Sequence, residues 1–465
     1  MKGVLGALPA LLALGACSLA PAYDPPRVAA PAAYKEAPQG WAQAAPGDTA
    51  DRGHWWAVFN DPVLDDLEAR MEKASPTLAA AVARRDAATA AARVAGADLF
   101  PTLSVSGDIE RQRLSATRPL GTGVARYTDK TIGGSLDYEV DLWGRVRNAV
   151  KASKAQAQAS ESDLASARLS LQASLATAYF HLRGLDAQAA LLDQTVEAYG
   201  RALDLTTTRH DGGIASGVDV SRAQTVLSDA KAQISDIAQQ RAATEHAIAA
   251  LIGEVASTFA IAPIDGLAQA PQVPLQSPAI LLQRRPDVAA AERRVFAANA
   301  QIGVARAAFF PDIALGLSGG WQAVAGPLIS TPSSFWSLGP LSAALDIFDG
   351  GRRAAKVKIS RAQYDEAAAD YRSAVLGAFR DAEDAIGDAR HLAAQSQDND
   401  DAAIAAQKTL DLALTRYHDG ASDYLEVVTA QTAALSAQSE AIAVHAARLQ
   451  AAVAMVRAFG GDVRS

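Results

Sequence analysis

Hydrophobic positions along this chain keep two different periods, and the switch between them occurs twice. From Leu164 onward, Leu171, Ala178, Leu185, Leu192 and Tyr199 recur every seven residues, and Leu175, Leu182, Ala189, Val196 and Leu203 form a stripe offset by four. Alternating steps of four and three give a period near 3.5, the pattern of helices that coil against one another. No proline lies between Trp143 and Ala262, so a helix is predicted over 144–208, roughly 100 Å long at about 1.5 Å per residue. A glycine-containing turn, Arg209-His210-Asp211-Gly212-Gly213, then leads to a return helix over 218–253. A second long helix over 351–416, the turn Arg416-Tyr417-His418-Asp419-Gly420 and a return helix over 424–459 repeat the same plan. Glycine just past a helix end adopts the left-handed conformation that closes such turns.

Ahead of each long helix the period falls to two. Leu103, Val105, Gly107 and Ile109 alternate with Ser104, Ser106, Asp108 and Glu110; Leu136, Tyr138, Val140 and Leu142 alternate with Ser135, Asp137, Glu139 and Asp141. Strands are predicted over 102–112 and 131–142, and again over 312–322 and 335–347. About ten residues with one apolar and one polar face suit a tilted strand crossing a bilayer. Phe100, Trp143, Phe309, Phe310 and Phe348 at the strand ends suit a membrane-interface girdle. The alternative is a pair of soluble hairpins inserted in a helical protein. Four strands with two open edges would be untenable in lipid unless several chains close the sheet, and three chains would give twelve strands.

The two switches reflect an internal duplication. Shifted by 210 residues, Pro76 to Ala81 falls on Pro286 to Ala291, and Phe100-Pro101 on Phe310-Pro311; shifted by 207, Leu203-Asp204-Leu205 falls on Leu410-Asp411-Leu412, and Gly213 on Gly420. Asp141-Leu142-Trp143 answers Asp346-Ile347-Phe348 at a shift of 205. A duplication of this size governs the architecture before any local signal does. The fold class expected is mainly α with a membrane β-barrel portion: long coiled-coil hairpins forming an α-barrel, and four strands per chain.

The N-terminus reads as an address. Lys2 precedes an apolar run from Val4 to Ala16, and Leu14-Gly15-Ala16-Cys17 resembles a bacterial lipobox with Cys17 as the lipidated residue. An ordinary signal peptide that contains a cysteine is the alternative. The chain has 1 cysteine, which leaves no partner for an internal disulfide. A formal net charge of −8 argues against nucleic acid as a partner. The uncharged stretch from Ile313 to Leu345 is broken by glycine and proline and is not a membrane helix. The 7 histidines show no metal-ligand spacing, the 3 methionines do not cluster, and no phosphate loop or nucleophile–base pairing stands out. Neither catalysis nor a cofactor is expected, apart from the covalent lipid on Cys17.

Three further groups of residues carry a family resemblance: Trp55-Trp56-Ala57-Val58-Phe59-Asn60-Asp61-Pro62-Val63-Leu64, the turns Asp141-Leu142-Trp143-Gly144-Arg145 and Asp346-Ile347-Phe348-Asp349-Gly350-Gly351-Arg352, and Arg284-Arg285-Pro286-Asp287-Val288. In this order, with the duplication, the chain resembles the TolC-like outer-membrane efflux family, in its lipidated NodT-like branch that serves resistance-nodulation-division pumps. The resemblance implies a homotrimer, a twelve-stranded barrel in outer-membrane lipid and a helical periplasmic tunnel. It also implies a periplasmic adaptor and an inner-membrane pump as partners, with this chain as a passive exit duct for drugs or other small toxic compounds. The division expected is a signal at 1–16, a lipidated linker and equatorial segment at 17–60, repeats at 61–253 and 283–459, an equatorial linker at 254–282 and a tail at 460–465. The rival functions are a type I protein-secretion duct and, in another class, a non-channel coiled-coil surface lipoprotein.

In such relatives the two hairpin turns lie at the periplasmic mouth, which acidic rings narrow. Asp423 matches the acidic position. Three copies about 6 Å apart would repel by roughly 3 kcal/mol per pair at an effective dielectric of 20, selecting for cations; Asp423 is equally placed to cap the returning helix. Arg209 and Arg416, at matching ends of the long helices, either complement the helix dipole or make a tip salt bridge to Asp211, Asp219 or Asp423. Tyr417 and its counterpart His210 are candidates to join that lock, His210 adding pH sensitivity. Tyr424 is included because the first repeat has Gly217 there. Asp108, Glu110, Asp137, Glu139 and Asp141 would line the barrel lumen, either as a solvated wall or as a cation filter.

Overall fold

The computed structural model describes residues 18–37, 54–115, 126–264, 266–273, 278, 281 and 284–461. Cys17 and the predicted signal lie outside them. The chain divides into two compact units, each assembled from both repeats: 1–27, 84–161 and 290–372 in one, and 28–83, 162–289 and 373–465 in the other. No helix among the described residues is long and apolar enough to cross a membrane.

The first unit holds one antiparallel sheet in the order β1 (Thr102–Arg113), β2 (Arg126–Glu139), β3 (Asp312–Ala323), β4 (Ser334–Ala344). The register sets Leu103 opposite Leu136, Leu136 opposite Leu317 and Leu317 opposite Leu338. Because paired residues share a face, the period-two pattern of each strand adds up to one apolar face, with Val105, Ile109, Ile132, Trp321, Trp336 and Leu341 on it. That face is bare in the single chain: Val105 is 78% exposed and Trp336 81%. The other face carries Ser104, Asp108, Glu110, Ser135, Asp137, Ser318 and Gln322. Each outer strand, β1 and β4, keeps one edge unpaired.

Strand β2 begins and ends earlier than the alternation predicts, so Val140 to Trp143 belong to a turn; Leu345 and Ile347 likewise fall beyond β4. Acidic clasps at the starts of the two long helices, α3 (Arg145–Asp211) and α6 (Arg352–His418), end these strands. The Asp141 carboxylate accepts the Arg147 backbone N–H at 2.9 Å and Arg147 Nε at 3.1 Å, while Asp349 accepts Gly351 N at 3.0 Å, Arg353 N at 3.0 Å and Arg353 Nε at 2.7 Å. Amides that the first helical turn leaves without an intrahelical acceptor are thereby satisfied. Trp143 stacks on Phe310 at 4.7 Å and donates Nε1–H to the Pro311 carbonyl at 2.9 Å. Also in this unit, the residues after Cys17 run along α5 (Pro286–Ala307): Asn299 donates to the Pro21 carbonyl at 3.0 Å and Arg306 to that of Leu19 at 3.1 Å.

In the second unit, Asp61 caps α1 (Pro62–Ala74) by accepting Val63 N and Leu64 N, and Pro62 occupies the first helical turn. The helix stops at Ser75 because Pro76, which opens α2 (Pro76–Ala97), disfavours a helical residue before it. A 3-10 turn at Trp55–Phe59 buries Trp55, Trp56 and Phe59; Phe59 meets Phe180 at 4.7 Å, and Trp55 Nε1 donates to Gln172 at 3.0 Å. The hairpins pair α3 with α4 (Gly217–Leu251) and α6 with α7 (Tyr424–Ala458). The heptad stripe supplies their cores: Leu185 and Leu192 pack with Ile237, Tyr199 with Leu227 and Ala230. At Gly184 an added Cβ would come within 2.8 Å of the Ala446 Cβ, so the approach of α3 to α7 requires glycine. A buried charge network ties the chain after α4 to the helices. Asp186 accepts from Arg183 at 2.8 Å and Arg241 at 2.7 Å, and these guanidiniums donate onward to the Ala262 and Ile261 carbonyls.

Candidate functional site

At the hairpin turns the duplication produces matching caps with different chemistry. Ser216 caps α4 in a capping box with Asp219, which also meets Arg222 at 3.6 Å. The counterpart of Ser216 is Asp423, which caps α7 by accepting Glu426 N at 3.1 Å. The capping role of Asp423 is thus in place. Gly213 and Gly420, at φ 75° and 74°, close the two turns in the left-handed region.

The salt bridge expected from Arg209 or Arg416 to Asp211, Asp219 or Asp423 does not form among the described residues. Arg209 Nη1 donates instead to the Tyr417 carbonyl at 2.7 Å and, at 3.3 Å, to that of His418. Those carbonyls are the orphan acceptors at the C-terminus of α6. The cation therefore complements the dipole of the other long helix, not of its own. Arg416 reaches Glu426 at 3.7 Å and the Ala421 carbonyl at 3.5 Å. His210 is engaged through Nδ1 with the Ala215 carbonyl at 2.9 Å, within its own turn, and is not part of the Arg209 contact.

Aromatic packing completes the tie between the turns. The Arg209 guanidinium lies over the Tyr417 ring at 4.7 Å, and Tyr417 meets Tyr424 edge-on at 5.1 Å. Tyr424 is 1% exposed, packed with Ala223, Ala413, Val427 and Ala430, and burial pushes its phenol up to about 12. The Tyr417 hydroxyl is buried without a hydrogen-bond partner.

In the sheet, Asp108, Glu110 and Asp137 fall on the polar face, Glu110 standing opposite Asp129. Asp129 is a further acid of this face that the alternation alone does not predict; it lies in the early part of β2 and accepts from Gln322 at 2.6 Å. Glu139 is the last residue of β2 and accepts from Arg145 Nε at 2.7 Å. Asp141 is not a lumen-strand acid: its carboxylate is committed to Arg147 in the strand-to-helix turn. In the other unit, Glu68 on α1 is fully buried with neither carboxylate oxygen hydrogen-bonded. Desolvation, and secondarily Glu72, pushes Glu68 up to about 9.

Comparison with known proteins bears on both repeats. The family model described as outer membrane efflux protein matches residues 69–254 and 278–461, one match per repeat. The chain is 33% identical to the pyoverdine export outer membrane protein OpmQ of Pseudomonas aeruginosa, over 99% of this chain and 97% of that protein. It is 32% identical to the outer membrane protein OprJ of the same organism, over 98% and 95%. Among solved structures, the outer-membrane channel OprN superposes with a TM-score of 0.88 at 28% identity, covering 96% of this chain and 99% of that one. The open-state MtrE outer membrane channel of Neisseria gonorrhoeae gives 0.83 at 25% identity, over 97% and 100%. With both repeats matched and the similarity running end to end, the chain belongs to the outer membrane efflux protein family.

Proposed function

We propose that three copies of this chain form a passive exit duct for small toxic compounds, anchored in the outer membrane and fed by an inner-membrane pump through a periplasmic adaptor. The observation that carries the trimer is the four-stranded sheet with one apolar face, one polar face and an unpaired edge on each side. In hydrocarbon every unpaired strand edge leaves backbone groups without partners, so the sheet must close against other copies. Three copies supply twelve strands, apolar face outward and polar face toward the lumen. The pump and adaptor accord with the family's role as the outer-membrane part of efflux systems; a resistance-nodulation-division pump fits the similarity to OprJ and OpmQ. A lipid on Cys17 would add a second membrane attachment beside the barrel, each buried CH₂ contributing about 0.8 kcal/mol.

The Asp423 carboxylate, three times repeated around the trimer axis, would form an acidic ring at the mouth while continuing to cap α7. The test of the whole reading is purification from outer membranes, then electrophoresis with and without heating and planar-bilayer recording. A heat-sensitive trimer that conducts ions is expected; a chain that stays monomeric and non-conducting overturns it. Radiolabelled palmitate should enter the wild-type protein and not Cys17→Ser; equal labelling would remove the anchor.

A further inference from the structure

The loop end of the first strand pair separates charge by face. Along the face that carries Leu103, Val105 and Ile109, the register continues through Arg111, Arg113, Arg126 and Lys130, with Lys130 opposite Ile109 and Arg126 opposite Arg113. Asp108, Glu110 and Asp129, on the same strands, alternate onto the other face. All four cations are exposed, and none has an ion-pair or hydrogen-bond partner among the described residues.

Two features make this arrangement costly without a counter-anion, and the strand geometry places it. Like charges directly across a strand pair repel, as Arg113 and Arg126 must. A basic residue on the lipid face costs about 2–4 kcal/mol at the bilayer midplane and about 0–1 near the interface, so four of them belong at headgroup depth. At about 3.3 Å per residue, Arg111 and Arg113 stand roughly 7 and 13 Å along the strand beyond Ile109, the last apolar residue of that face on β1. The opposite end of each strand leads to or from a helix, at Pro101, Gly144, Pro311 and Gly351, so the cationic end is the one turned away from the helices.

We infer that Arg111, Arg113, Arg126 and Lys130 form a docking strip for the phosphate groups of phosphorylated glycolipid in the outer leaflet. The strip is open and spread over two strands, which suits a plane of several phosphates and offers no enclosing pocket for one free anion. It sits on the lipid side, so it holds the barrel at its depth without touching the conducting path. The inference rests on the barrel reading under Proposed function.

The experiment uses the intact trimer and the variant Arg111→Gln/Arg113→Gln/Arg126→Gln/Lys130→Gln, with Asp108→Asn/Glu110→Gln as the control for the other face. The probe is lipid A, bis-phosphorylated or enzymatically dephosphorylated, with binding read by native mass spectrometry and by thermal shift in detergent. At about fivefold per cation near an anionic surface, loss of two or more contacts predicts at least a roughly twentyfold weaker affinity for the bis-phosphorylated lipid. The wild type and the control should bind alike, with affinity falling as salt rises. Dephosphorylated lipid A should bind weakly to all three. Equal binding by the quadruple variant, or full competition by inorganic phosphate at the lipid's own concentration, overturns the docking strip. Planar-bilayer conductance of each preparation separates the two levels: a conducting variant that retains lipid refutes the strip alone, whereas a wild type that neither assembles nor conducts refutes the barrel beneath it.

Discussion

Replacing Arg209 by glutamine should loosen the tie between the two hairpin turns. The side chain donates to the Tyr417 carbonyl at 2.7 Å and the His418 carbonyl at 3.3 Å, and stacks at 4.7 Å on the Tyr417 ring. A hydrogen bond from a charged donor contributes about 1.5–3 kcal/mol, and an exposed cation–π contact about 0.5–1. Arg209 is half-exposed, so the lower ends apply, together about 2 kcal/mol, or roughly thirtyfold in the opening equilibrium. Hydrogen exchange on the assembled protein, read by mass spectrometry over peptides spanning 412–424, should show amides at the end of α6 exchanging faster by about that factor. Tyr417→Phe provides the counter-measurement. It keeps the ring beneath Arg209 and removes a hydroxyl buried without a partner, so protection should hold or rise. Wild-type protection in Arg209→Gln, or equal damage from Tyr417→Phe, would show that Arg209 does not tie the two turns together.

Three other outcomes are expected of the same structure. Burial raises the folded-state value of Glu68 to about 9 from an ordinary 4.5, so the folded protein keeps a proton that the unfolded chain releases between those values. Stability should therefore fall as pH rises from about 5 to 9, by at most about 1.4 kcal/mol per pH unit, and Glu68→Gln should flatten that slope in thermal melts; a slope unchanged by the substitution would exclude Glu68 as its source. Asp186→Asn leaves the Arg183 guanidinium, 3% exposed, without its nearest counter-charge and should destabilise by about 3–5 kcal/mol, seen as a large drop in Tm. Asp423→Ala should cost about 1 kcal/mol of cap stability, whereas Asp423→Ser keeps a cap of the kind Ser216 makes and removes only the charge. Reduced cation selectivity in Asp423→Ser at wild-type stability is expected of an acidic ring; unchanged selectivity would leave Asp423 as a cap alone.

The helices and the hairpin turns differ in how far sequence reveals them. Leu175, Leu182, Leu185 and Leu192 repeat on a single helix, so their period alone places α3 and its buried seam. The strands are harder to bound because charge interrupts the alternation at both ends of β2. Arg126, Asp129 and Lys130 extend the strand past its apolar part, while Val140 and Leu142 continue the pattern into a turn that Asp141 has already claimed for Arg147. The partner of Arg209 is beyond local reading, since it is a pair of backbone carbonyls 208 and 209 residues away. Carboxylates look like the natural acceptors in a sequence, yet a helix end presents carbonyls that no side-chain pattern records. Glu68 does leave a trace: it shares the stripe of Leu64, Leu67 and Met71 on α1, all buried.

The two unpaired edges of the sheet also set the order of biogenesis. A lone chain carries a bare apolar face and two rows of unpaired backbone donors and acceptors, which favour association in water and are untenable in hydrocarbon. Insertion and association are then expected to be coupled, and steeply dependent on the concentration of chains awaiting them. A single subunit with one blocked edge would stall its two companions. Damage confined to β1 or β4 is thus expected to act dominantly over wild-type copies in the same cell, whereas damage to the central strands β2 and β3 is expected to remove only the chain that carries it.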